Sequence, residues 1–312
     1  MRDTMKLAAI IGAALGFFAV SAPAHAQATR TFVSGVGNDA DPCSRTAPCK
    51  TFAGAISKTF INGEIDCLDP GGFGAVTITK SITIDCTGTF GSILASGVNG
   101  VVINIAANVN DPFRTVRIRG LSINGTGASG TIGTRTGLRG ISILQAAVVF
   151  VEDTVISDFS LQGISDTRSG GGKLFVRNSV VRNNSGAGIA VAGAATNNAV
   201  IENIHSNNNG FGVAAATGNR VSVARSVLSG NTSSGVEGDS GSQIGLEGAL
   251  VSANGTGLTN SGTMSISNSE VSFNATGISG ATISFGNNRI FGNTAAGTVP
   301  TLGAASSDHG QQ

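Results

Sequence analysis

The side chains able to do acid–base or electrostatic chemistry are spread unevenly along this 312-residue sequence. Fourteen charges fall between residues 111 and 182: Asp111, Arg114, Arg117, Arg119, Arg135, Arg139, Glu152, Asp153, Asp158, Asp166, Arg168, Lys173, Arg177 and Arg182. Residues 183–312 hold only nine. Within the crowded stretch, Glu152, Arg177 and Arg182 are the candidates for catalysis. Elimination from an acidic sugar needs a base to take a ring proton and a cation to stabilise the uronate carboxylate. Hydrolysis of a glycoside needs two carboxylates flanking the bond. The competing reading of Glu152, Arg177 and Glu202, with Glu247 further on, is a cross-strand salt ladder on an exposed face. His205 reads as an ordinary surface residue. The four cysteines lack paired C-x-x-C spacing, His205 and His309 are far from them, and no run of aspartates could hold calcium. No metal or cofactor is therefore expected. Trp and Tyr are absent, so only phenylalanine could offer a sugar an aromatic platform.

What must position these residues is a repeat. From Val149 onward the chain cycles through alternating apolar residues, a polar step, Ser-x-Asn, then Gly with a branched side chain. Aligned copies give a column of Asn184, Asn209, Asn231, Asn254, Asn274 and Asn293, expected to form a structural ladder hydrogen-bonded from coil to coil, and a column of Gly163, Gly188, Gly212, Gly235, Gly257, Gly277 and Gly297. Apolar columns accompany them, one running through Leu174, Val221, Ile244, Met264 and Ile283. Repeats of about 20–25 residues made of short alternating segments mean a solenoid, in which each coil buries its inward face on its neighbours. Val and Ile outweigh Leu at the strand positions, and no segment is long enough for a repeating helix. The expectation is an all-β, single-stranded, right-handed parallel β-helix of roughly eleven coils over 62–300, with Asn and Gly supplying left-handed backbone at its bends. Glu152, Arg177 and Glu202 then share one outward column, about 4.8 Å apart per coil.

The segment Thr31-Phe-Val-Ser-Gly-Val-Gly-Asn-Asp39-Ala-Asp-Pro42 continues through Cys43 and Pro48-Cys-Lys-Thr51 into Phe52–Ile56. It resembles the opening of secreted bacterial β-helix proteins of the pectate-lyase-like superfamily. The resemblance implies the fold for nearly the whole chain after residue 26. The superfamily spans lyases, hydrolases, esterases, epimerases and members without known activity, so it leaves the chemistry open. The local motifs associated with its galacturonan hydrolases are missing. Physically, residues 27–61 read as a cap, because the first coil of a solenoid exposes an apolar cross-section and a strand edge. Thr51 can N-cap a short helix whose Phe52, Ala55 and Ile56 share one face. Four cysteines allow three pairings. Cys43 and Cys49 flank a five-residue loop, and Cys67 and Cys86 each end an Ile-Asp-Cys tripeptide one coil apart. Cys43–Cys49 and Cys67–Cys86 are therefore the expected disulfides.

Arg2 and Lys6, an apolar run from Leu7 to Val20 and Ala24-His25-Ala26 form a secretory signal pattern with cleavage after Ala26. The remainder carries no net charge, which excludes an electrostatic reason for binding nucleic acid, and no later apolar run is long enough for membrane insertion. Residues 301–312 read as a polar tail. The function expected is an exported, monomeric, non-catalytic binding or structural protein of the periplasm or cell exterior, with an envelope or extracellular glycan as partner. The alternative is a polysaccharide-active enzyme of uronate lyase or epimerase type.

Overall fold

A computed structural model describes residues 27–126 and 135–303. The signal pattern, residues 127–134 and most of the 301–312 tail lie outside the described residues. The chain winds through three parallel sheets in a repeating order. The first sheet has twelve strands, from Ala28–Val33 to Thr301–Leu302. The second has ten, from Gly71–Gly72 to Arg289–Phe291, and the third ten, from Val76–Ile78 to Ala295–Gly297. This is the expected parallel β-helix, with about ten coils rather than eleven. The difference arises early: Asp85 and Arg119, neighbours in the first sheet, are 34 residues apart, and Asn124 and Ser157 in the second are 33 apart. Short strands at Gly71–Gly72 and Gly91–Leu94, where glycine masks the alternation, were not expected.

Inward residues alternate with outward ones along each strand and stack in columns. In the first sheet Val149, Leu174, Ala199, Val221, Ile244 and Met264 are successive partners, all buried. The expected column then slips, because Ile283 pairs with Ser265 instead of Met264.

Asn and Gly supply much of the left-handed backbone at the bends, as at Asn178, Asn203, Gly230 and Gly248, but at other positions than the aligned Asn column. The Asn184–Asn293 column is not left-handed. Positive φ falls on the residue before it: Asn183, Asn208, Gly230, Ala253, Phe273 and Gly292. The column residues turn inward and form the expected ladder. Asn231 Nδ2 donates to Asn254 Oδ1 at 2.9 Å, and Asn254 and Asn274 repeat the contact to the next coil at 3.0 and 2.9 Å. Each Oδ1 also accepts the backbone N–H of the preceding Asn. The ladder thereby satisfies backbone donors that a bend would leave orphaned in the interior. The glycine column follows from it. A Cβ on Gly235 would lie 2.5 Å from Val251 Cγ1, 2.8 Å from Gly257 O and 2.9 Å from Asn254 Nδ2. From Gly163 to Gly277, close approach to the ladder and its neighbours, rather than backbone conformation, keeps these positions glycine; Gly297 alone in the column is left-handed, at φ 77°.

At the N-terminal end the helix α1, Phe52–Lys58, begins at Thr51, whose hydroxyl accepts from Gly54 N at 2.9 Å. Phe52 and Ala55 are buried, and Phe52 packs on Phe73 with ring centroids 5.2 Å apart. Asp39 ties the loop to the helix, accepting the Lys50 and Thr51 N–H groups at 2.8 and 2.9 Å and the Thr51 hydroxyl at 2.7 Å. Burial opposes its ionisation, yet these hydrogen bonds hold its pKa below the usual carboxylate value. Both expected disulfides, Cys43–Cys49 and Cys67–Cys86, are formed.

Candidate functional site

The outer face of the first sheet carries most of the chemistry, in three parallel columns. The first runs Asp66, Asp85, Arg119, Glu152, Arg177, Glu202, Ala224, Glu247. Arg119 joins Asp85 at 2.9 Å and Glu152 at 3.5 Å, and Arg117 also reaches Glu152 at 3.6 Å. Arg177 meets Glu202 at 3.4 Å, and Arg225 pairs with the same carboxylate. Glu152 and Arg177 are therefore neighbours, as expected, each with its charge spent along a ladder. Such half-exposed pairs contribute about 0–1 kcal/mol each. Arg182 is not with them: it ends the strand Val180–Arg182 of the second sheet, between Ser157 and Asn207. His205 is exposed in the same sheet, between Val180 and Val227.

The middle column runs Arg117, Phe150, Phe175, Val200, Ser222, Gly245, Ser265. Phe150 and Phe175 stack at 4.9 Å between centroids, and the Arg117 guanidinium lies 4.7 Å from the Phe150 centroid. Both faces of Phe150 are thus occupied, so this pair is a structural stack rather than a sugar platform. Beyond it the side chains shrink through Val200 and Ser222 to Gly245. The third column, Lys173, Asn198, Arg220, Gln243, Thr263, stays tall. The contrast opens a trough of about 490 Å³ whose polar lining is Asn198, Arg220, Ser222, Gln243, Thr263 and Ser265. No carboxylate lines it.

Residues 139–306, more than half of the chain, match the family described as a right handed beta helix region. The chain belongs to that family. Among solved structures this β-helix is similar to the pectate lyase Pel9A, with TM-score 0.52 and 16% identity over 88% of this chain and 74% of that one. It is also similar to the AlgE4 A-module, a mannuronan C-5 epimerase of Azotobacter vinelandii, with TM-score 0.43 and 14% identity over 88% and 89% of the two chains. At these identities the likeness is one of fold. No curated protein sequence matches the chain.

Two polar features of the β-helix escaped the sequence reading. Near the N-terminal end, Arg30, Arg45, Glu64, Asp66 and Asp85 line a groove of about 360 Å³. Burial, reinforced by Glu64 and opposed by Arg30, pushes the Asp66 pKa up to about 6. A carboxyl whose folded pKa exceeds its unfolded value binds more protons when folded. Its stabilising contribution is complete below about pH 4 and is lost as pH rises through about 6. Asp66→Asn should therefore flatten the stability profile between pH 4 and 7, measured as unfolding midpoints; an unchanged slope would contradict the assignment. The second feature is Asp166 with Arg168, both buried, joined by Nε–Oδ1 at 2.8 Å and Nη2–Oδ2 at 2.5 Å. Its signal was available: Gly163-Ile-Ser-Asp166 aligns with Gly140-Ile-Ser-Ile143 and Gly188-Ile-Ala-Val191, so the aspartate occupies an inward position. Among the described residues no group of three or more His, Cys, Asp or Glu could hold a metal, and no helix is long and apolar enough to cross a membrane.

Proposed function

We propose that this β-helix is an exported, non-catalytic binding protein whose ligand is a glycan of the cell envelope or exterior, lying along the outer face of the first sheet. One observation carries the reading: the trough centred on Gly245 is lined by amides, hydroxyls and one guanidinium, without a carboxylate. Amide and hydroxyl groups both donate and accept, which suits a polyhydroxylated ligand. Proton abstraction or glycoside hydrolysis needs a base or a carboxylate pair, and the trough supplies neither. Two disulfides support an oxidising compartment, in keeping with the signal pattern.

Gly245 provides the test. A Cβ there meets only Ser265 Oγ, at an ordinary 3.7 Å, so the backbone accepts a side chain, and Gly245→Phe is the variant expected to fill the trough. Glycan binding measured by calorimetry or array should be abolished in this variant while its unfolding free energy stays within about 0.5 kcal/mol of the parent. Unchanged affinity in a folded variant would place the ligand elsewhere.

A second reading rests on the Asp66 groove. Asp66, its pKa raised to about 6, stands beside Glu64 and Asp85 and with them would supply the acid and the base that an acidic-polysaccharide enzyme uses, with Arg45 as a cation for the sugar; Arg30 is paired with Glu64 and Asp66.

A further inference from the structure

Beside the trough, at the bend from the third sheet into the first, Gly170, Gly171, Gly172 and Lys173 border a second recess. This recess, about 460 Å³, shares Asn198 with the trough and is lined by Arg114 and Lys173. Past Gly170 and Gly171 it opens into a chamber of about 260 Å³ ending at Arg168. No carboxylate lines either space.

The charges around it do not cancel. Arg168 is neutralised by Asp166. Asp111, the nearest acid to Arg114 in sequence, is buried and faces inward, accepting the Ser81 N–H and hydroxyl and the Arg114 N–H. The guanidinium of Arg114 and the ammonium of Lys173 have no partner among the described residues. The N–H groups of Gly170 and Gly171 likewise donate to none of them. Arg114 also occupies left-handed backbone, φ 41°, a conformation that costs a non-glycine residue free energy. Its backbone is fixed there by Asp111 on its N–H and by the Ala147 N–H on its carbonyl. Two unpaired cations and two residues with free amide donors therefore line one recess, a set of groups suited to an oxyanion.

We propose that the Arg114–Lys173 recess is an anion subsite, taking a sulfate, phosphate or carboxylate substituent of the glycan that lies in the adjoining trough. The inference rests on the trough being a glycan site, and the experiment separates the two. Inorganic sulfate is titrated into the isotope-labelled protein while the Gly170 and Gly171 amide resonances are followed. Calorimetry then compares polygalacturonate, its fully methyl-esterified form and a sulfated galactan on the parent, on Arg114→Gln/Lys173→Gln, and on Gly245→Phe. Sulfate should shift both amides. The double substitution should weaken the polygalacturonate or the sulfated galactan by tenfold or more, about the worth of one charge-assisted hydrogen bond. The arm that weakens names the substituent. The neutral ester should bind the double variant as it binds the parent, and Gly245→Phe should lose every glycan. Unshifted glycine amides, or an anionic preference that survives the double substitution, would overturn the anion subsite and leave the trough standing. Sulfate shifts with no glycan bound by the parent would overturn the trough and leave the anion site by itself.

Discussion

Arg168→Met should destabilise the protein by about 3–5 kcal/mol, because it strands the Asp166 carboxylate inside the solenoid. Asp166 stands in the inward column of the third sheet between Ile143 and Val191, and both members of the pair are almost wholly buried, at 0% and 1% exposure. The fork of Arg168 satisfies both carboxylate oxygens, and Nη1 lies 3.3 Å from the carbonyls of Ala146, Ala147 and Lys173. Arg168 therefore ties the bend between the third and first sheets to the preceding coil. Removing the cation alone leaves an uncompensated charge and three carbonyls without that donor. Removing both charges leaves only the carbonyls. Asp166→Leu/Arg168→Met should accordingly recover most of the loss, since a buried pair is worth little more than well-packed apolar groups of similar volume. Denaturant midpoints of the two variants decide this. A single variant within about 1 kcal/mol of the parent would show that the carboxylate reaches water or another partner.

The Asn ladder should give the next largest effect. Asn231 accepts the Asn209 N–H at 3.0 Å, donates to Ser206 O at 3.1 Å and donates to Asn254 Oδ1 at 2.9 Å. Asn231→Ala removes all three in a buried place. The Asn209 N–H is then left without an acceptor, so the expected cost is about 2–4 kcal/mol. Asn198→Ala, at an exposed position of the first sheet, is the control and should change stability by less than about 0.5 kcal/mol. Hydrogen exchange localises the effect: the Asn209 amide should lose protection while amides near Phe52 keep theirs, because a solenoid coil contacts only its neighbours. Equal protection of Asn209 in parent and variant would mean that water or a relaxed backbone replaces the ladder.

The coils were legible because a solenoid repeats its inward pattern on every turn, so Val176, Ile201, Val223 and Leu246 declare one column without knowledge of the fold. The Cys67–Cys86 bridge was legible for the same reason. What the repeat could not show was which polar groups fill a column. Asp166 shows only when Gly163–Asp166 is aligned with the neighbouring coils, and the next buried polar residue of its column, Asn260, has no periodic relation to it. The role of glycine was misread because composition alone does not separate a left-handed residue from one pressed by a neighbour; Gly235 needs the contact with Asn254 to explain it. The trough was hidden more deeply. It is a shape made by what Gly245 and Ser222 lack, set against Gln243 and Arg220 on the adjacent column. Candidate catalysts chosen by charge led to Glu152 and Arg177, which stand next to each other in the ladder, and to Arg182, which five residues later has already passed into another sheet.

Turnover is the direct test of a binding role. Purified protein incubated with a panel of uronate polymers and neutral glycans, from about pH 5 to 8, is followed by ultraviolet absorbance for unsaturated products, by release of reducing ends and by proton spectra for inversion at C5. The account predicts binding that Gly245→Phe abolishes, with no product in any of the three readouts. Product formation that persists in Gly245→Phe and disappears in Asp66→Asn would contradict it and establish the acidic groove as an active site.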